Sequence, residues 1–279
     1  MIIIGSLAAA VRFFPSDDAE PVRTKDIDCL LSPHLRAQGA GRRTAEALLA
    51  QGWQMRPGPD WSRPGQAETP IDQLPVVRLV PPGEDQWFLE LLSSPDQRQM
   101  TGRQFHRLET EFGHFALCSF RFLALAELDP LATESGLKIA RPEMMALANL
   151  LHHPQLGTET MSGLIAGRRI RRSSKDLGRV LALAFLASQE NEQLIESWPE
   201  RWVDALRSTF PEECESWIAS IGGGLEQLLQ GAHAEDLEEA HHTCVTGLLA
   251  GHRLSLPAFQ ALGRRVMNEL IEPTRRQIR

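Results

Sequence analysis

Asp26 and Asp28 stand two residues apart in Arg23-Thr24-Lys25-Asp26-Ile27-Asp28-Cys29-Leu30-Leu31. Read as a strand, this stretch puts both carboxylates on one face and Ile27 and Cys29 on the other. Like charges held that close repel, so the pair needs a divalent cation, a shared proton or open solvent. Mg²⁺ or Mn²⁺, bound by one or two carboxylates together with substrate phosphates, suits it best. Upstream, Gly5-Ser6 separates the apolar run Met1-Ile2-Ile3-Ile4 from Leu7-Ala8-Ala9-Ala10-Val11, which reads as strand, tight turn and helix. Such a turn aims free N–H groups and a positive helix end at one point, where an anion such as a triphosphate is stabilised. Gly5 permits close approach and Ser6 adds a hydroxyl.

Two further groups have chemical interest. Glu90 lies between Leu89 and Leu91, an expensive location for an acid without a partner; the other reading is an edge-strand glutamate facing water. Arg168, Arg169, Arg171, Arg172 and Lys175 place five cations in eight positions of a chain whose net charge is −7. That cluster can hold a triphosphate, contact a nucleic-acid backbone, or simply solubilise a loop.

The elements that must position these residues follow from periodicity and punctuation. Ser32-Pro33 ends the aspartate strand, and Arg42 to Gln51 has helical spacing that Gly52 stops. Gly39-Ala40-Gly41 does not make a dinucleotide loop, because Thr44 occupies the place of the third glycine. Residues 56–70, rich in Pro, Gly and polar side chains, read as an exposed loop carrying Trp61. Val76–Val80 and Trp87–Leu92 flank Pro81-Pro82-Gly83-Glu84-Asp85 and read as a hairpin. Phe115–Phe120 and Leu137–Ala140 read as short strands. A helix opens at Pro142-Glu143, with Met144, Leu147, Leu150 and Leu151 on one face. Beyond it the pattern is helical at 177–188, 202–209, 225–229, 237–249 and 256–271. The shift from strand-rich to helical composition puts a domain boundary near residue 141.

Gly5-Ser6, a helix and then Asp26-Ile27-Asp28 resemble the signature of the polymerase-β-like nucleotidyltransferase superfamily. Residues 23–28 are especially similar to its abortive-infection type branch, whose members include toxins of toxin–antitoxin pairs. Pro142-Glu143, Arg172 and Lys175-Asp176 look like further elements of that branch. The resemblance covers roughly residues 1–190. It implies a metal site made by Asp26, Asp28 and Glu90, the last matching a third carboxylate on a neighbouring strand, and nucleotide contacts from Gly5, Ser6, Lys25, Arg172, Lys175 and Asp176. It also implies an NTP substrate and an antitoxin partner, and it leaves the acceptor open among an RNA 3′ end, a protein hydroxyl and a small molecule.

The sequence departs from this pattern in several places. Nineteen residues separate Ser6 from Asp26, with Phe13 to Pro21 as the apparent insertion. Ala148-Asn149 replaces an expected lysine, and Arg179 stands where an aspartate belongs. Relatives usually carry a helix before the motif strand, so the expectation is that the true start lies upstream or that this segment has been lost.

A length of 279 residues allows one large domain or two ordinary ones. The acidic balance gives no global case for nucleic-acid binding. Cys29, Cys118, Cys214 and Cys244 form no C-x-x-C pair and read as reduced thiols of a cytoplasmic protein. The sequence shows no apolar stretch of membrane-spanning length. His233, Glu238, His241, His242 and Cys244 offer a rival zinc constellation, set against the commoner outcome of an amphipathic helix with exposed polar groups. The expected architecture is α+β: a mixed-sheet nucleotidyltransferase-like domain over 1–141 and a helical domain over 142–279, with a cleft between them. The expected function is metal-dependent transfer of an NMP from an NTP to a hydroxyl. The alternative is a non-catalytic nucleotide-binding or regulatory protein on the same fold.

Overall fold

The computed structural model describes residues 1–14, 24–56, 63–84, 86–95, 102–156, 159–161, 163–230 and 234–278. Most of the expected insertion, together with Arg23, Trp61 and His233, lies outside the described residues. The chain is a mixed α+β protein with an open mixed sheet and many helices. Its contacts divide it into two units, Met1–Ala8 with Thr24–Ala140 and Ala9–Arg23 with Arg141–Arg279.

In the first unit the order is β1 (Ile2–Ile4), the start of α1 (Gly5–Phe13), β2 (Asp26–Leu31), α2 (His34–Ala50), β3 (Gln54–Met55), β4 (Arg78–Val80), β5 (Phe88–Ser93), β6 (Arg103–Thr110), β7 (Gly113–Phe120), α3 (Leu123–Ala126), β8 (Leu131–Ala132) and β9 (Lys138–Ile139). The strands form one sheet in the order β3-β4-β5-β2-β1-β9-β8, with β7 joined to β5 and β6 outside β7. β2 runs parallel to β5 and β5 parallel to β7, while β1–β2, β4–β5 and β6–β7 are antiparallel.

Alternation sorts the two faces of this sheet. Cys29, Leu31, Leu79, Leu91, Leu108, Phe115 and Leu117 pack with Ala37 and Ala45 of α2 in one buried cluster. α2 begins at His34, eight residues before the spacing predicts, because Pro33 suits the start of a helix and Gly41 serves as a close-packing position. A Cβ on Gly41 would meet Leu31 Cδ1 at 2.9 Å and Leu117 Cδ1 at 3.3 Å. β6 is not apparent from the sequence, since its apolar residues Phe105 and Leu108 fall on opposite faces and give no alternation.

The second unit is helical: α4 (Pro142–Leu156), α5 (Arg172–Glu190), α6 (Glu192–Glu196), α7 (Trp198–Thr209), α8 (Cys214–Ser220), α9 (Gly223–Leu229), α10 (Ala234–Val245), α11 (Leu256–Val266), a π-helical turn at Met267–Ile271 and α12 (Glu272–Arg276). α5 starts five residues before the expected Leu177, so part of the basic stretch is helical. Trp202 is fully buried and its indole N–H donates to the Glu143 carbonyl at 2.8 Å. The Glu143 carboxylate, also buried, accepts from Arg201 at 2.5 Å. α10 approaches α5 at Gly178, whose carbonyl accepts from the Cys244 thiol at 2.9 Å. A Cβ on Gly178 would meet the Ala240 carbonyl oxygen at 2.7 Å. Among the described residues no helix is long and apolar enough to cross a membrane.

Candidate functional site

Three strands bring the first unit's carboxylates and its turn together. β1 registers Ile4 with Asp28, and β5 registers Phe88 with Asp26 and Glu90 with Asp28. Asp26, Asp28 and Glu90 therefore share the face away from α2, with about 4.8 Å between neighbouring strands. Gly5 follows Ile4 directly and adopts φ +71°, the left-handed region that glycine enters without a steric penalty. A Cβ there would stand 2.8 Å from Asp28 Oδ2. The close approach and the backbone conformation independently require glycine, and both press the start of α1 against one aspartate. Ser6 is half-buried in the first turn of α1, and Lys25 is exposed immediately before β2.

Asp26 Oδ1 accepts from Thr24 Oγ1 at 2.9 Å. Glu90 is held by a guanidinium, with Arg78 Nε donating to Oε2 at 2.8 Å and Arg78 NH2 to Oε1 at 3.2 Å. The Arg78 side chain is 44% exposed and that of Glu90 11%, so the carboxylate is the buried partner. Burial alone lowers the Arg78 pKa, but the charge and hydrogen bonds of Glu90, with the charges of Cys118 and Asp28, carry it above the usual guanidinium range. The same negative field appears in the thiols. Burial and then the Asp28 charge push Cys29 up to about 12, and burial and then Glu90 push Cys118 up to about 11. Neither cysteine is a thiolate nucleophile at neutral pH. Beside this group the Arg56 guanidinium lies over the Phe88 ring, 4.0 Å from its centroid.

Whether these residues suit a divalent cation has a divided answer. Two carboxylates on one strand face beside a side-chain-free backbone position suit a hard cation that keeps several of its own ligands. Both Glu90 oxygens accept from the Arg78 guanidinium, so a metal there would share this carboxylate with that arginine. Among the described residues no group of three or more His, Cys, Asp or Glu side chains is arranged to hold a metal ion. Arg78 is the residue the sequence reading misses. The available signal is that Arg78 and Glu90 are each a charge within an apolar strand of one hairpin, the pattern of a cross-strand pair.

The remaining expected nucleotide contacts lie in the second unit. Arg172 pairs with Glu159 at 3.1 Å, and Asp176 lies 3.2 Å from His152 Nδ1. Arg171 pairs with Asp236 at 2.6 Å, and its backbone N–H donates to Glu239 at 3.0 Å. Lys175 is half-buried, while Arg168 and Arg169 are exposed. The basic stretch is thus two populations, with Arg171 and Arg172 committed to acids of their own unit. Among the described residues the rival zinc constellation does not converge. His241 Nε2 meets the Leu254 carbonyl at 2.7 Å, His242 Nε2 the Ile165 carbonyl at 3.1 Å, and Cys244 the Gly178 carbonyl.

No protein-family model, no curated protein and no solved structure matches this chain.

Proposed function

We propose that the first unit carries a nucleotidyl-transfer site built on Asp26 and Asp28, in which an NMP passes from an NTP to an acceptor hydroxyl. The observation that carries this reading is the approach of Gly5 to Asp28, where a Cβ would stand 2.8 Å from Oδ2. It supports a phosphate-accepting turn directly beside a carboxylate. Backbone N–H groups at the start of α1 and the Ser6 hydroxyl orient the terminal phosphates. Asp26 and Asp28 hold the negative pole of the site, and Thr24 fixes the Asp26 carboxylate by its hydrogen bond at 2.9 Å. A divalent cation bound there supplies charge neutralisation for the transferring phosphate and the departing pyrophosphate. Glu90 contributes through Arg78, whose guanidinium it holds at the edge of the same face. The acceptor classes that fit the chemistry are an RNA 3′ end, a protein hydroxyl and a small-molecule hydroxyl, and the resemblance to toxin nucleotidyltransferases adds an antitoxin as partner.

The test is incubation of the full chain with each labelled NTP, Mg²⁺ or Mn²⁺ and cell extract. Label should move to a macromolecule with release of pyrophosphate, and Asp28→Asn should remove both signals. A second reading, nucleotide binding without turnover, is favoured by the engagement of both Glu90 oxygens with Arg78. Calorimetric binding of an NTP with Mg²⁺ and no pyrophosphate release selects that reading. Absence of NTP binding overturns both.

A further inference from the structure

The sheet face against α2 is apolar along its middle but turns polar in one row near the carboxyl ends of β5 and β7. Leu92 registers with Cys118, which sets Ser93 beside Ser119, and Ser119 registers with Gln104 across β6–β7. Ser93 and Ser119 are each 0% exposed and Gln104 is 9% exposed. All three continue the alternation of Leu91, Leu117 and Leu108, the residues that pack toward α2. Ser119 Oγ and Gln104 Nε2 are buried without a hydrogen-bond partner. Buried polar atoms in native proteins are nearly always satisfied, so two adjacent orphans mark a place for a bound water or a ligand group.

Other polar groups border this row. His34, the first residue of α2, has Nδ1 2.9 Å from the Ser94 carbonyl oxygen and 3.3 Å from Ser93 Oγ. Its ring meets His106 edge-to-face with centroids 4.6 Å apart. A carbonyl oxygen only accepts, so His34 Nδ1 carries a proton, and Ser93 Oγ donates to the same carbonyl at 3.0 Å. His34 therefore takes no proton from Ser93 through that nitrogen, and the pair is not a hydrolase dyad. α2 is 17 residues long and has no side-chain cap at its start; the Arg36 N–H donates to the Pro33 carbonyl at 2.9 Å, and the positive dipole end of the helix lies here. Arg121, 3% exposed, lies two residues beyond Ser119. On the rim, Ser32 Oγ donates to Glu127 at 2.8 Å. The carboxyl ends of parallel strands beside a helix start are where α/β sheets take anionic ligands.

We infer that Ser93, Gln104, Ser119 and the start of α2 form a second binding site, for the phosphate group of a small ligand, at the end of β5 away from the carboxylates. Ser93 lies three residues beyond Glu90, roughly 10 Å along the strand, and faces the other way. The inference is independent of the transfer reading.

Its test uses the full chain in EDTA, which withholds the cation from the carboxylate face, and reads this site through His34, His106, Ser119 and Gln104, so that phosphate held at the Gly5–Ser6 turn is told apart from phosphate held here. Inorganic phosphate should raise the melting temperature relative to chloride at equal ionic strength and should shift the imidazole resonances of His34 and His106. Ser119→Ala should melt in chloride at or above the parent temperature, since an orphan hydroxyl is removed, and should weaken phosphate binding roughly tenfold, the loss of one hydrogen bond to a charged group. Gln104→Met gives the same result from the neighbouring strand. A 5′-nucleoside monophosphate binding more tightly than free phosphate assigns the group to a nucleotide, and equal binding assigns it to phosphate itself. Unmoved histidine resonances, or an undiminished phosphate response in both variants, overturns the site.

Discussion

Arg78 and Glu90 face each other across the β4–β5 hairpin and are joined by two hydrogen bonds of 2.8 and 3.2 Å. The pair lies one strand from Asp28, so the third carboxylate of the face is already neutralised by a side chain of its own sheet. Arg78→Met leaves Glu90 unpaired and should destabilise the fold by about 1–3 kcal/mol, nearer the lower figure because Arg78 is partly exposed. Adding Glu90→Leu should recover part of that loss, and urea titration of both single variants and the double closes the cycle. Strictly additive effects rule out coupling between the two residues. The single Arg78→Met variant should also bind Mg²⁺ more tightly, since it restores a free carboxylate charge beside Asp28.

Gly5→Ala meets two penalties at once, a Cβ 2.8 Å from Asp28 Oδ2 and a φ of +71°. The backbone conformation alone costs about 1–2 kcal/mol for an L-residue with a side chain. The variant should show that loss in chemical denaturation, and NTP labelling should fall at a temperature where the fold persists. Unchanged stability means that the turn rearranges freely, and removes the main support for the phosphate-accepting turn.

Asp26 and Asp28 repel each other in the absence of a cation. Mg²⁺ or Mn²⁺ with the correct NTP should raise the melting temperature, corresponding to about 2.7 kcal/mol at a hundredfold excess over Kd. Asp28→Asn should keep or raise the ligand-free melting temperature while losing the ligand-induced rise. A ligand-free melt well below the parent assigns Asp28 a structural role instead.

His153 titrates below the ordinary imidazole range. Burial lowers its pKa, outweighing the Leu150 carbonyl and the Asp176 charge that raise it, and His152 adds to the lowering. The unfolded chain takes up this proton near pH 6.5 while the folded chain still excludes it, so stability falls as pH drops from about 6.5 through the folded value. Urea midpoints measured between neutral and mildly acidic pH should decline, and His153→Asn should decline less. Equal slopes place the acid sensitivity elsewhere.

Several parts of this arrangement are legible in the sequence because they depend on short-range rules. The β1 turn, the alternation of Asp26 and Asp28, and the β4–β5 hairpin all follow from apolar runs and Gly/Pro punctuation. What is not legible depends on register and tertiary fit. Arg78 becomes the partner of Glu90 only once the hairpin register is set, and the row of Ser93, Ser119 and Gln104 exists only once β5, β7 and β6 are adjacent. Likewise Arg171 and Arg172 read as unpaired in sequence because Asp236 and Glu159 lie far from them in the chain or across a turn. Gly39 and Gly41 mask the early start of α2 because propensity counts them against a helix, whereas packing against Leu31 makes Gly41 necessary.

The short strand Ile2–Ile4 has one neighbour close in sequence and one far away: it pairs with Asp28–Leu30 on one side and, through Ile3, with Ile139 on the other. During synthesis the first partner emerges early, but the second edge stays open until residue 139 leaves the ribosome, 136 residues after Ile3. At about 5–20 residues per second that interval is roughly 7–27 s. Throughout it the nascent chain displays a β-branched Ile-Ile-Ile edge, the kind of template on which chains pair with one another. Yield in the cell should therefore respond to translation speed and to chaperones that shield extended apolar segments, even in variants whose finished fold is equally stable.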